Sequence, residues 1–249
     1  MDTEIELKFL VSDAVIPLIP SLITQFAKTV INKPSRSLQN AYYDTPSREL
    51  RALDIGFRTR CADTQCEQTI KLAGEVVGGL HQRPEYNLPI ESNRPNLMAF
   101  NANIWPHGMQ VSSVSKNLYP IFSTNFIRRT WLIETETGGK IEVVLDKGEV
   151  AAAGKVEIIS ELEIELVEGS RSELFAFADL LVSQNCIRLG LYSKAARGYR
   201  LADEKPLKPS KSIGFVQLPS NANQESALTA AMNFGIRFVQ KHEQCYFDK

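Results

Sequence analysis

The sequence predicts an α+β fold dominated by strands, either a barrel or a sandwich. Three observations predict it. Apolar and polar residues alternate with period 2 over eight segments, roughly 3–11, 38–44, 53–62, 66–73, 79–88, 121–134, 139–151 and 156–167. Before residue 200, helical spacing is confined to about 13–29, 95–104 and 171–186. Gly78-Gly79 and Gly138-Gly139 fall at segment boundaries and read as hairpin turns.

Taken in order, the first strand places Glu4, Glu6 and Lys8 on one face and Ile5, Leu7 and Phe9 on the other. The strand near 57 puts Arg58 and Arg60 opposite Phe57 and Thr59, and the one after Gly79 aligns His81, Arg83 and Glu85. Glu142, Val144 and Asp146 share a face later on. Glu161, Glu163 and Glu165 form a carboxylate row against Leu162, Ile164 and Leu166. The helix near 171 has Ser170 and Ser172 as N-cap candidates. From Asp203 to Ala222, three prolines and no regular period read as a linker. The tail then spaces Leu228, Met232, Gly235, Val239 and His242 as one helical stripe, which a lone helix cannot bury. The expected organisation is a main domain over 1–203, a linker over 204–224 and a helix over 225–249 that begins a second, all-helical domain.

The 249 residues are 43% hydrophobic and 23% charged, an ordinary globular balance. A formal net charge of -1 and a pI of about 6.3 supply no field for holding nucleic acid or an anionic membrane. Neither is expected as a partner, and protein partners are not specified. The amino terminus MDTEIELK carries acids where a secretory signal carries bases, and no apolar run approaches bilayer length. Cys61, Cys66, Cys186 and Cys245 are irregularly spaced and read as free thiols, which points to the cytoplasm.

Charge is segregated by sign among these strands. A solvated face mixes Lys, Thr, Gln and Ser, whereas here carboxylates concentrate on some strands and arginines on others. Periodicity alone leaves open whether the charged faces line a barrel interior or the outside of an apolar one. A charged interior requires pairing, water, ions or substrate. Guanidinium forks facing carboxylates suit a polyanion held with divalent cations.

Glu4-Ile5-Glu6-Leu7-Lys8 resembles the amino-terminal ExExK signature of CYTH (triphosphate tunnel) proteins. LDIGFRTR at 53–60, QTIKLAG at 68–74, GGLHQRPEYN at 78–87, IEVVLDKGEV at 141–150, ELEIEL at 161–166 and SKAARGY at 193–199 follow in the family's order. GGLHQRPEYN, FSTNF and SKAARGY are closest to bacterial inorganic triphosphatases that join CYTH to a helical CHAD domain, whose first helix the tail from Glu225 would be.

The resemblance implies an eight-stranded antiparallel barrel enclosing a tunnel, with flanking helices. It implies Mg²⁺ or Mn²⁺ held by Glu4, Glu6, Glu163 and Glu165 with Glu142 and Asp146 in support, Glu161 being one carboxylate beyond the usual pair. Phosphate would be clamped by Lys8, Arg58, Arg60, Lys71, Arg83, Arg128, Lys194 and Arg197, with Arg128 rather than Arg129 turned inward. Glu4, Glu6, Lys8 and Glu165 would carry catalysis. The implied activity is hydrolysis of inorganic triphosphate to pyrophosphate and phosphate, with triphosphate or polyphosphate as partner. Thiamine or nucleoside triphosphatase, class IV adenylyl cyclase and a non-catalytic polyphosphate-binding module remain alternatives. No serine has recognisable His and acid partners, and neither glycine pair sits in a Walker-type context.

Overall fold

In a computed structural model, which describes residues 2–62, 65–184, 187–208, 214–218 and 220–247, eight strands close into an antiparallel barrel. In chain order these are β1 (Asp2–Val11), β2 (Thr29–Asp44), β3 (Gly56–Ala62), β4 (Gln65–Lys71), the short β5 (Glu75–Val77), β6 (Leu80–Ile90), β7 (Tyr119–Glu134), β8 (Lys140–Ala152), β9 (Lys155–Glu168) and the short β10 (Ile187–Leu189). The ring runs β1-β9-β8-β7-β2-β3-β4-β6, and β6 returns to pair with β1, so the sheet closes on itself, the first half of β2 pairing with β7 alone among the described residues. The short β5 and β10 attach outside the ring, to β6 and β1. The helices are α1 (Ile19–Phe26), α2 (Glu49–Ala52), α3 (Val111–Lys116), α4 (Arg171–Val182), α5 (Lys194–Ala202) and α6 (Gln224–Phe247).

The alternation resolves with the charged face inward. Leu7, Phe9, Leu162, Ile164, Val143 and Trp131 point outward and are buried beneath Ile19 and Ile23 of α1 and Phe177 and Leu181 of α4. Phe57 and Ile70 are covered likewise by Leu97, Phe100 and Val114. Each such fully buried side chain contributes roughly 1.5–3 kcal/mol, and helices rather than a filled lumen provide that burial. At one end the interior is apolar. Phe122, Phe126, Val150 and Ile159 meet Tyr199 of α5 there, so α5 plugs the barrel. Gly198 permits the approach, because a Cβ there would lie 2.1 Å from the Phe122 ring. The Tyr199 hydroxyl donates to Asp44 at 2.9 Å, and Asp44 also accepts from the Leu50 and Arg51 amides of α2.

Several expectations need correction. The segment 95–104 forms two separated 3-10 turns rather than a helix. Asn96 and Asn101 accept from the amides of Met98 and Asn103, local bonds that compete with helix propagation. The strand expected over 38–44 starts earlier, and residues 29–37 form the exposed first half of β2. The helix near 171 ends at Val182, with Ser170 as its N-cap and Glu173 completing a capping box. Cys61 and Cys66 are not free thiols. They are opposed on β3 and β4, with Cα atoms 4.2 Å apart, and are joined as a disulfide, which removes the cysteine argument for a reducing compartment. Cys245 is free and buried, and Cys186 lies outside the described residues. In α6, Leu228, Met232 and Val239 are exposed. Among the described residues, no helix is long and apolar enough to cross a membrane.

Candidate active site

A cavity of about 1300 Å³ occupies the barrel interior. Its walls carry opposite charge on opposite arcs. Glu4 and Glu6 on β1, Glu163 and Glu165 on β9 and Glu142 on β8 come from three consecutive strands. Arg128, Arg58, Arg60, Lys71 and Arg83 come from β7, β3, β4 and β6 around the other side. Lys8 and Lys194 also line the cavity, and Asp146, Glu161 and Arg197 lie buried behind it. Arg128 faces inward, while Arg129 faces outward and stacks on Trp131 at 4.9 Å.

The interior has two electrostatic layers. Beside α5, Lys194 holds Asp146, Glu161 and Glu163 at 2.8, 2.7 and 2.9 Å. Lys8 contacts Glu161 at 3.3 Å and also pairs with Glu163, and Arg197 pairs with Glu161. Arg128 grips Asp146 with two bonds of 2.8 and 2.7 Å. Burial works to raise the Asp146 and Glu161 carboxyls, but Lys194, with Arg128 and Lys8 respectively, outweighs it and holds both well below the usual range. For Lys8 burial prevails and the ammonium pKa falls, whereas Asp146 and Glu161 outweigh burial at Lys194 and raise it.

In the second layer, Glu6, Glu165 and Glu142 are cross-strand neighbours on β1, β9 and β8. Glu142 meets Lys33 at the rim, and Glu4 is already held by Lys71 at 2.6 Å and Arg83 at 3.3 Å. Burial, followed by the charges of Glu4 and Glu6, pushes Glu165 up to about 7. The facing arc shows the mirror effect. Burial, then the charges of Arg58 and Arg128, pushes Arg60 down to about 9, and the Arg58 Nε is buried without a partner. One wall therefore crowds negative charge and the other is mainly positive, with Glu67 and Glu85 paired there to Arg60 and Lys71, across one cavity.

Among the described residues, no three His, Cys, Asp or Glu side chains form a ready-made metal group. The seven carboxylates expected together instead divide between the two layers. Asp146, Glu161 and Glu163 are ion-paired beside α5. Glu6 has no ion pair of its own among the described residues but is held low against burial by the charges of Lys8 and Lys71, and Glu165 is raised. The Glu6–Glu165–Glu142 row still fits a hard divalent ion, since its oxygens are of the right kind and burial, with the charges of Glu4 and Glu6, raises Glu165.

Sequence reasoning missed Tyr42 and α5 as an element. Tyr42 lines the cavity against Arg58, stacked on Phe122 with ring centroids 4.4 Å apart. Its YYD context is apolar enough to pass as core. His81, expected on the charged face, is buried beside Glu6, its Nε2 has no partner, and burial pushes it down to about 4.

The CYTH domain family model matches residues 2–199. This chain is a CYTH protein. An inorganic triphosphatase from Haemophilus influenzae is 38% identical over 202 residues, covering 81% of this CYTH chain and 56% of the relative's length. A solved Hippeastrum structure described as revealing a dominant triphosphatase activity superposes with a TM-score of 0.56 and 16% identity, covering 79% of this chain and 95% of that one. That likeness carries the CYTH fold alone.

Proposed function

We propose that the protein is a divalent-cation-dependent hydrolase that splits inorganic triphosphate into pyrophosphate and phosphate. One observation carries the reading: a basic arc crowded enough to push Arg60 down and a carboxylate row crowded enough to push Glu165 up face each other across one cavity. The Haemophilus influenzae relative's name agrees with it.

Phosphoryl transfer asks for positioning and charge neutralisation rather than a covalent nucleophile. Arg58, Arg60, Lys71, Arg83 and Arg128 would grip the phosphate oxygens. Lys8 and Lys194 would approach them from the ion-paired layer, with Arg197 holding Glu161 behind. Glu6 and Glu165, with Glu142 and Glu4, would hold Mg²⁺ or Mn²⁺, while Asp146, Glu161 and Glu163 fix the cations of that layer. Such an ion, when bound, supplies charge neutralisation at the transferring phosphoryl group. The α5 plug keeps bulk water from one end. The exposed stripe on α6 supports reading the region from 225 as part of a second, helical domain of CHAD type.

A phosphate-release panel with triphosphate, ATP, thiamine triphosphate and long-chain polyphosphate tests the reading. Triphosphate should be preferred, its hydrolysis should cease in EDTA, and Mg²⁺ or Mn²⁺ should restore it. Mg²⁺ or Mn²⁺ should also raise the melting temperature of the wild type and not of Glu165→Gln. Undiminished hydrolysis in excess EDTA removes the cation.

A further inference from the structure

A second cavity of about 670 Å³ adjoins the first, with Arg60, Glu67, Arg128 and Glu142 lining both. Its outer wall is the exposed half of β2, where Lys33 and Arg36 stand three positions apart. On a regular strand an odd separation turns two side chains to opposite faces. Here the pairing passes from Lys33 opposite Thr130 to Arg36 opposite Arg128, three steps on β2 for two on β7. The extra residue is a bulge at Pro34-Ser35. Arg128 faces the lumen and Thr130, two residues on, shares its face, so the bulge aims both cations at the same opening. Lys33 accordingly reaches over β7 to Glu142 on β8, and Arg36 lies exposed beside the inner Arg128.

A net charge of -1 supplies no long-range pull on a polyanion, and the acidic arc inside repels it. Capture must then be local. We propose that Lys33 and Arg36 form an outer anion subsite that captures a linear inorganic phosphate anion at the tunnel mouth and passes it to Arg60 and Arg128. The identity of the anion rests on the function proposed above. Lys33 masks the outermost carboxylate, Glu142, and Arg36 supplies the positive charge that an approaching phosphate meets first. Groups that act before the chemical step change kcat/KM and its salt dependence, and leave kcat alone.

The experiment is charge reversal, Lys33→Glu and Arg36→Glu separately, with Lys155→Glu at the β8–β9 hairpin as a control for net charge. With tripolyphosphate and Mg²⁺ at low ionic strength, each mouth variant should lose roughly tenfold in kcat/KM with kcat unchanged. Both should converge on the wild type at about 0.5 M salt, where screening is nearly complete. The control should match the wild type throughout. Unaltered kcat/KM in both mouth variants, or losses independent of salt, would overturn the subsite. Should the wild type prove inert toward tripolyphosphate, the hydrolase reading falls, and calorimetry of tripolyphosphate binding decides the subsite. Salt-dependent affinity weakened by both reversals keeps it; affinity unmoved by them, or no binding by the wild type, removes it.

Discussion

The two layers of the barrel interior are built from the same residue types and behave oppositely. Beside α5, Asp146, Glu161 and Glu163 each have a Lys or Arg within ion-pair distance, and burial is offset by attraction. Two residues along β1 and β9, Glu6 and Glu165 share a wall with other acids, and Glu165 is pushed up to about 7. How a buried carboxylate titrates here is decided by the cation within reach: Asp146 and Glu161 are lowered and Glu165 is raised. Lys194 is that cation for three acids at once, and it comes from a helix rather than from the barrel.

The comparison is broken most directly at Lys194. Lys194→Ala removes one cation from each of three buried carboxylates and leaves them to Arg128, Lys8 and Arg197, so unfolding in urea should show a loss of about 1–3 kcal/mol. A loss below about 1 kcal/mol would mean that the ion-paired layer does not hold α5 in place.

Glu165→Gln should do the reverse. Removing a like charge from the unpaired row should leave stability unchanged or raised, while triphosphate turnover falls at least about tenfold, or about 1.4 kcal/mol of transition-state stabilisation. The sign with pH follows from a raised acid. The folded state prefers the protonated form, so Glu165 is harmless below 4.5, increasingly destabilising as pH rises from there, and carries its full penalty above about 7. The stability advantage of Glu165→Gln should therefore appear between those values; an advantage largest at low pH contradicts the row.

Arg58→Ala sharpens the contrast between the arcs. In EDTA it should weaken triphosphate binding about tenfold, or about 1.4 kcal/mol, while Glu165→Gln binds as well as the wild type or better. Calorimetry showing both variants weakened would mean that the arcs do not act with opposite sign.

The smallest effect lies outside the barrel. Glu173 caps α4 by accepting from the Ser170 amide and from Thr135 and Thr137, and those bonds hold it down at about 2. A depressed acid stabilises above its ordinary value of 4.5 and stops doing so as pH falls through about 2. Glu173→Gln should lower the melting temperature slightly at pH 7, with the difference vanishing near pH 2. A constant difference would assign the effect to shape rather than charge.

Period-2 alternation carried the strands, and sign segregation along Glu4-Ile5-Glu6-Leu7-Lys8 and ELEIEL carried the site, because which residues share a face is a local property of an extended chain. Both glycine hairpins and the Ser170 cap were legible for the same reason: each depends on a handful of adjacent residues. Which face is inside is not local. It was decided by α1, α4 and the 97–118 segment covering the apolar side, leaving the charged side to close on itself. The bulge at Pro34-Ser35, the opposition of Cys61 to Cys66 and the insertion of α5 were likewise decided by pairing and packing across the barrel. So was the division of seven carboxylates into anchored and poised, since a pKa depends on charges that only the closed barrel brings within a few ångströms.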